Sequence, residues 1–370
     1  MKNEIVFGRW EATCFLTSMI GARMFLNFPR TVVEIAGPAG WVLSLYTTIL
    51  VLIAFFVITR LYKPFEGKDL IDIGEMALGG FGRIIIGLIL ISYALFSLAI
   101  FLREFAEDMK TISYVMSPIS FILILLLLGT VAAAYFGLEA IVRTAAIFVP
   151  VIIVGFLIIF AGVIPYININ HLFPILEDGW NNIIANGISL MSVFSPIIWL
   201  FFITPYIKTN RNMKAVGYNA LWITSLAFFV SSLVYILVYP YPIALENFLP
   251  LFHLARLINI GRFFQRIESM FVFIWAAGAL LHLSSDFYLL IHVFRKTFRL
   301  KYQKPLIIPL AILIFNLSLL SAGLMQTIIL ESRFAGQYFW IIGFGMPVLV
   351  LLISRLRKKT GKGAVKSDER

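Results

Sequence analysis

Ten apolar stretches, each about 20 residues long and nearly free of charge, follow one another from Trp10 to Ser354. A helix of that length spans about 30 Å, the thickness of the hydrocarbon core of a bilayer. With 61% hydrophobic and 13% charged residues, the chain is far more apolar than a soluble domain. The sequence therefore predicts an all-α integral membrane protein, a single polytopic domain over residues 1–370 whose residues 354–370 form a basic tail.

The basic residues predict how the spans are oriented. The spans cover residues 10–28, 39–60, 83–105, 117–137, 141–164, 182–205, 216–239, 265–290, 305–323 and 336–354. When both termini are placed in the cytoplasm, the inner loops hold about three times as many lysines and arginines as the outer ones, as expected for short loops. The net charge of +11 then follows from topology. It favours contact with membrane lipid and predicts no nucleic-acid partner.

The first and sixth spans both contain residues that interrupt helices. The first reads TSMIGARMFLNFP, with Gly21 and Ala22 near its middle, and the sixth reads NGISLMSVFSPIIWLFFITP, with Pro196 at its centre. Backbone that unwinds at mid-membrane is tolerated only beside a cavity. Two breaks five spans apart predict an inverted five-plus-five repeat with a substrate site between broken helices 1 and 6. Close packing at Gly21 and a simple kink at Pro196 remain alternatives.

Ionisable side chains inside spans are costly and are candidates for function. Arg23 lies one turn beyond the expected break, where it would pair with a ligand carboxylate if it faces the cavity, or extend to the membrane surface if it does not. In helix eight, His282 and Asp286 share a face and suit a proton relay, whereas Ser284 and Ser285 offer hydroxyl oxygens to a cation such as Na⁺. Pairing of Asp286 with a basic neighbour is the structural alternative.

Other polar segments give weaker predictions. Tyr93 and Ser97 fall near the middle of helix three and would donate hydrogen bonds to a ligand. The charged residues at the outer end of the same helix are expected to form a solvated rim: Arg103, Glu104, Glu107, Asp108 and Lys110. Residues 63–82 predict an amphipathic helix on the cytoplasmic surface, and the outer loops 165–180 and 240–262 predict lids, partner surfaces or plain loops.

Patterns typical of enzymes are missing from the sequence. It contains no Gly-rich phosphate loop, no paired-cysteine metal site and no H-E-x-x-H helix, and its four histidines are scattered. We therefore expect no enzymatic activity and no cofactor, apart from Na⁺ or H⁺ if transport is ion-coupled.

Three segments resemble the spore germination permeases, the B subunits of germinant receptors in endospore-forming bacteria: FLNFPRTVVEIAGPAGW, KDLIDIGEMALGGFGR and FFQRIESMFVFIWAAGALLHLSSDFYLL. The resemblance covers essentially the whole chain, and its most specific part is the pattern Arg266, Glu268, Phe271 and Trp275. That family is similar to the amino acid, polyamine and organocation (APC) transporter superfamily, whose LeuT-like fold is the inverted repeat predicted above.

The resemblance implies a nutrient-sensing subunit of the spore inner membrane, with both termini on the core side. It implies a small germinant such as an amino acid, an A-type membrane subunit and a C-type lipoprotein subunit as partners. Carried over by position, the ligand would contact Ile20, Gly21, Ala22, Tyr93, Ser97, Ser192, Phe194 and Ser195. Related transporters have a glycine-richer break than GARMF, and Arg23 has no counterpart in them.

An ion-coupled amino acid permease of the same fold is the alternative function. Such a permease would couple uptake to Na⁺ or H⁺ through Ser284, Ser285 or Asp286. Both functions use the same predicted pocket, so only a measurement of flux separates them.

Overall fold

The computed structural model describes residues 7–175, 179–207, 210–259 and 267–367, and all regular elements in these ranges are helices. The α-helices are α1 Arg9–Gly21, α2 Phe28–Ala36, α3 Gly40–Tyr62, α4 Leu70–Ile112, α5 Ile119–Phe136, α6 Leu138–Gly162, α7 Gly179–Leu190, α8 Leu200–Ile207, α9 Asn210–Val238, α10 Tyr241–Ala244, α11 Pro250–Leu257, α12 Ile267–Thr297, α13 Ile307–Leu319, α14 Leu324–Leu330, α15 Gln337–Trp340 and α16 Met346–Ser367. Short 3₁₀ segments occupy Ala22–Phe25, Gly37–Ala39, Lys63–Phe65, Ile164–Tyr166, Ile169–Leu172, Met191–Trp199 and Lys304–Leu306, and π-helical segments occupy Glu331–Gly336 and Ile341–Gly345.

Eight helical stretches in the described part of the chain are long and apolar enough to cross a membrane, and the chain is an integral membrane protein. The stretch Lys304–Leu319 is shorter, and α1 contains 13 residues. These two correspond to the ninth and first predicted spans. The count of ten therefore stays a prediction. Large apolar side chains on α5 and α6 are exposed, among them Leu128 and Leu157 at 61% each, as expected for helices that face lipid.

The first span is interrupted a few residues after the predicted break, since Gly21 and Ala22 keep right-handed helical dihedral angles and the backbone leaves helical winding only at Leu26. Helix α1 ends at Gly21, the 3₁₀ segment follows, and Leu26 has non-helical dihedral angles of −82° and −112°. Both α1 and α2 pack against α9, so together they form one broken helix. The broken helix runs past the predicted span end at residue 28, because α2 continues to Ala36. Pro29 lies in the first turn of α2, where its missing N–H group leaves no hydrogen bond unmade.

The sixth span changes its winding instead of opening. Between α7 and α8 lies a nine-residue 3₁₀ segment that includes Pro196. Runs of this kind longer than three or four residues are uncommon and mark strain or function. The segment packs closely on the last spanning helix: a Cβ atom on Gly343 would lie 2.6 Å from the Cα atom of Ser195. The expected interruption is present as a change of winding, and its backbone packs against the last spanning helix.

Helix α4 joins the predicted amphipathic segment to the third span. Its backbone is non-helical at Gly79, where φ is 67° and ψ is −154°, a combination that favours glycine. The Asp69 carboxylate caps the helix by accepting from the Asp72 N–H at 3.0 Å. Lys296 of α12 forms ion pairs with both aspartates. The amphipathic helix predicted for residues 63–82 is confirmed from Leu70 onward, and its position on the membrane surface stays a prediction.

The two long loops that are predicted to face outward pack against the end of α9. His171 Nδ1 lies 3.0 Å from the Leu237 carbonyl oxygen, and the Tyr235 hydroxyl donates to the Ala244 carbonyl at 2.7 Å. Arg30 of α2 donates to the Leu245 carbonyl at 2.8 Å. The described parts of these loops are therefore held in place as ordered structure over the helix ends. Residues 176–178 and 260–266 of the same loops lie outside the described residues.

Candidate ligand and ion site

Arg23 lies at the centre of the candidate site, on the 3₁₀ segment after α1. Its residue is only 8% exposed. One guanidinium nitrogen, Nη1, forms an ion pair with Glu331, and Nη2 lies 3.4 Å from the Ser97 hydroxyl of α4. Its Nε atom is buried and has no hydrogen-bond partner. Arg23 therefore points inward and does not extend to the membrane surface.

Glu331 was missed by the sequence analysis. The cluster LESR was assigned to the loop between predicted spans 305–323 and 336–354, whereas the last span begins at Leu324. Glu331 opens a π-helical turn, and π turns inside α-helices occur frequently at functional sites. The signal available in the sequence was the unpaired cation at Arg23, because a buried arginine requires a carboxylate somewhere else in the chain.

Two predicted ligand contacts bond to each other. The Tyr93 hydroxyl of α4 and the Ser195 hydroxyl of the sixth span are 3.0 Å apart and buried. The Tyr93 ring lies 4.7 Å from the Phe339 ring and 5.9 Å from the Trp199 ring, measured between centroids. Nearby, the Ser192 hydroxyl accepts the Trp340 backbone N–H at 3.0 Å. A ligand between these helices must therefore separate groups that are in contact in this structure.

The remaining predicted contacts face elsewhere. The Phe194 ring packs against Phe228 of α9 at 5.3 Å, away from Tyr93. A Cβ atom on Gly21 would lie 3.8 Å from the Thr224 side chain, which is also on α9. Ile20 and Ala22 are buried at the end of α1. The predicted set thus divides into one group around Arg23 and Tyr93 and another that packs against α9.

Helix α12 carries a buried polar cluster with few hydrogen bonds. His282 and Asp286 are both fully buried, and their Nε2 and Oδ2 atoms are 3.7 Å apart, which is too long for a hydrogen bond. Neither ring nitrogen and neither carboxylate oxygen has a hydrogen-bond partner, and the same holds for the Ser285 hydroxyl. Ser284 is 4% exposed. Among the described residues Asp286 forms no salt bridge with a lysine or arginine, and the charge of Arg23 reaches it only at longer range, so pairing with a basic neighbour stays an alternative prediction.

The surroundings of this cluster connect it to both broken helices. The indole ring of Trp199, in the sixth span, lies beside the Asp286 carboxylate. The indole N–H group, like the carboxylate, makes no hydrogen bond of ordinary geometry. The Met19 backbone of α1 lies next to the His282 ring. Helix α12 therefore faces the ends of the same two interruptions that the sequence predicts.

The expected solvated rim at the outer end of α4 is wrong for three of its residues. Arg103, Glu104 and Asp108 are 5%, 1% and 2% exposed. Arg103 pairs with Glu107 at 2.7 Å and donates to the Ser318 carbonyl oxygen at 3.3 Å. Hydropathy places these residues near a helix end but does not reveal that this face of α4 packs against α12, α13 and α14.

The charge of Arg23 acts on several buried groups besides Glu331. Glu104 and Asp286 both lie within range of its electrostatic field, as do the Tyr93 hydroxyl and the His282 ring. The guanidinium group thus contacts one carboxylate, on the last spanning helix, and lies within electrostatic range of two others, on α4 and α12. A separate open cleft of about 380 Å³ lies at the start of α1. None of its lining residues is a predicted site residue; they are Arg9, Trp10, Thr13, Asn219, Trp222 and Ile223.

The comparisons with known proteins agree on one family. A family model described as spore germination protein matches residues 12–323. The chain is 24% identical to spore germination protein YndE of Bacillus subtilis, over 95% of this chain and 97% of the relative. It is also 24% identical to spore germination protein A2 of the same organism, over 92% and 93%. Of the resemblance pattern, Phe271 and Trp275 stack at 5.9 Å, and Arg266 lies outside the described residues.

A solved structure shows the same fold. It is that of MHP1, a nucleobase-cation-symport-1 family transporter, in a closed conformation with bromovinylhydantoin bound. The TM-score is 0.61 and the match covers 88% of this chain and 75% of the transporter. At 12% identity, the likeness establishes a transporter-type helical fold and nothing about the ligand.

Proposed function

The chain belongs to the spore germination protein family, and we propose that it is the nutrient-sensing subunit of a spore germinant receptor. In this proposal it binds a small germinant such as an amino acid at mid-membrane and triggers germination. It has ten spans in two inverted five-helix repeats, lies in the spore inner membrane with both termini on the core side, and works with an A-type membrane subunit and a C-type lipoprotein subunit.

The observation that carries the proposal is the Arg23 site. A buried charge inside a membrane protein is costly and marks a functional site. Arg23 lies at the break of the first helix and contacts both α4 and the last spanning helix. Tyr93 and Ser195 meet next to it, between α4 and the interrupted sixth span. The transporter fold offers a ligand site at such interruptions.

Sensing follows from the closed arrangement. The contacts Arg23–Ser97 and Tyr93–Ser195 hold the broken helices against α4. A germinant that separates these groups and supplies its own hydrogen bonds stabilises a second arrangement, and the population shifts in proportion to the difference in affinity. The partner subunits would respond to the shift.

Spores that carry the full receptor test this function. The native subunit is replaced by Tyr93→Phe, which removes the hydroxyl group and keeps the ring, and germination is recorded against the concentration of each amino acid. We expect the half-maximal concentration to rise about 5- to 10-fold, the loss of one hydrogen bond. Tyr218→Phe, on the α9 surface that faces Phe55, is the matched control. An equal response from both variants and the wild type would remove Tyr93 from the site.

An ion-coupled permease is the second candidate, because the buried Ser285 and Asp286 oxygens on α12 lack partners. Purified protein in liposomes, with labelled amino acids and an imposed Na⁺ or H⁺ gradient, separates the two functions. Gradient-driven uptake that is lost in Ser285→Ala assigns the chain as a permease. Binding without uptake assigns it as a sensor.

A further inference from the structure

We propose that the Asp286 carboxylate and the aromatic rings of Tyr93 and Trp199 form a binding site for a ligand ammonium group. The ligand is thereby recognised as an organic cation, through its amine. This inference rests on the proposed function, since it names the chemical class of the germinant. It differs from the sequence-based expectation, in which Arg23 recognises a ligand carboxylate.

The charge balance of the buried site comes first. Arg23 is in direct contact with Glu331 and acts at longer range on Glu104 and Asp286. The Arg23–Glu331 pair compensates its own charges and leaves the Asp286 carboxylate without a lysine or arginine salt bridge among the described residues. Buried charges are paired or neutralised, because leaving water without compensation costs several kcal/mol. A positively charged ligand would supply the partner that an ionised Asp286 lacks, whereas an anionic ligand would not.

Asp286 is the carboxylate best placed to bind that ligand. Its side chain is fully buried, and both of its oxygens lack hydrogen-bond partners. His282 Nε2 is 3.7 Å from Asp286 Oδ2 and forms no hydrogen bond with it. The ionised Asp286 carboxylate can only accept hydrogen bonds, whereas an ammonium group offers three hydrogen-bond donors and a positive charge. The two are complementary, and such charge-assisted hydrogen bonds are among the strong ones.

The aromatic groups beside Asp286 select an organic cation. The Trp199 indole lies next to the carboxylate, and the Tyr93 hydroxyl lies within its electrostatic range. The two rings are 5.9 Å apart between centroids and tilted by 50°. The faces of tryptophan and tyrosine rings attract ammonium groups, with tryptophan the strongest. A small hydrated ion such as Na⁺ gains little from aromatic rings and would depend on oxygens such as those of Ser285 and Asp286.

Arg23 is the group that a ligand carboxylate would need, and Glu331 already holds its Nη1 atom. A carboxylate that binds both Nη atoms must displace a glutamate of the same chain, which is present at high effective concentration. Only the Nε side of the guanidinium, where Nε has no hydrogen-bond partner, is open to a ligand without that displacement. A ligand amine meets no such competitor at Asp286. Amines that lack a carboxylate should therefore bind.

Matched sets of small molecules test the inference on the purified full-length protein in lipid nanodiscs. Each set contains an amino acid, the amine without its carboxylate and the acid without its amine: L-alanine, ethylamine and propionate; L-valine, isobutylamine and isobutyrate; L-leucine, isoamylamine and isovalerate. Binding is read from the shift in thermal unfolding and from calorimetric titration. We expect the amine of at least one set to bind and its acid to leave the protein unchanged.

Other outcomes separate the inference from the proposed function. If an amino acid and its acid bind and the amine does not, the ammonium site is wrong and the germinant-binding function stands. If no member of any set binds, both are overturned for this class of nutrient. Binding of the amine supports both.

A pair of variants locates the site. Asp286→Asn keeps the shape and removes the charge, and we expect the affinity for the bound amine to fall about 10- to 100-fold. Asp108→Asn is the matched control, because it removes another buried carboxylate, 2% exposed, that lies 15 positions after Tyr93 on α4 and therefore about 22 Å farther along the helix. An equal loss in both variants, or no loss in Asp286→Asn, overturns the assignment to Asp286. The matched sets on the wild-type protein decide the ligand class even if Asp286→Asn fails to fold.

Discussion

Arg23 and Glu331 form an ion pair across 308 positions of the sequence, joining the break in the first helix to a π-helical turn of the last spanning helix. Their side chains are 9% and 13% exposed. The pair therefore fixes the position of the interruption relative to the helix that packs on the sixth span. Any movement of the first helix at its break must either carry the last spanning helix along or separate the two charges.

Removal of one partner of this pair should be strongly destabilising. Arg23→Gln leaves the Glu331 carboxylate buried without its cation, and Glu331→Gln does the reverse; such losses cost about 3–5 kcal/mol. The variant with both changes should lose less than the sum of the two. Thermal unfolding of the three variants in detergent, compared as a double-mutant cycle, measures the coupling. Additive effects would show that the pair contributes nothing beyond the separate side chains.

The close approach at Gly343 predicts a second effect. In Gly343→Ala the new methyl group would lie 2.6 Å from the Ser195 Cα atom, so the last spanning helix must move away from the sixth span. We expect the germinant concentration for half-maximal germination to rise, since Ser195 forms a hydrogen bond with Tyr93 in the candidate site. Gly345→Ala in the same π-helical segment is the control, because its nearest contact is 3.6 Å away. Identical responses would separate this packing contact from ligand sensing.

Hydropathy predicted where the helices lie because membrane spans require long apolar runs. The helix-breaking residue types Gly21 and Pro196 indicated approximately where the first and sixth helices change their winding. The 3₁₀ winding of the sixth span could not be predicted, because packing such as that of Ser195 against Gly343 exists only in the folded chain. Whether the site residues bind a ligand stays a prediction.

Residues near helix ends were harder to predict. Glu104 and Asp108 have the composition of an exposed rim, and their burial results from neighbouring helices whose positions the sequence does not give. Glu331 was assigned to a loop because its polar neighbours interrupt the hydropathy of the last span. In each case, the sequence indicated approximate depth in the membrane but not which side of the helix faces protein.

The N-terminus of α4 gives a prediction about pH. Burial raises the pKa of Asp69 above its usual value of 3.8, although the charge of Lys296 opposes the shift. The folded state thus holds the Asp69 proton more tightly than the unfolded state does. The stability from this group is complete below the unfolded pKa and declines as the pH rises through the folded pKa.

Asp69→Asn should remove the decline of stability with rising pH and keep the helix cap, since asparagine caps a helix as well as aspartate does. Asp69→Ala should lose the cap as well, at a cost of about 1 kcal/mol. Unfolding temperatures measured from pH 4 upward compare the two variants with the wild type. A pH profile that Asp69→Asn leaves unaltered would assign the decline to other groups.

The non-helical backbone at Gly79 predicts a site-specific glycine requirement. Its φ of 67° and ψ of −154° form a combination that other residues adopt only at a cost of about 1–3 kcal/mol, so Gly79→Ala should destabilise although no atom lies within 4 Å of the new Cβ. Gly80→Ala next to it also meets no atom within 4 Å, and there alanine should stabilise the helix by up to about 1 kcal/mol. Thermal unfolding of both variants in detergent measures the difference. If both substitutions shifted the unfolding temperature in the same direction, Gly79 would not be the point at which the amphipathic segment turns into the third span.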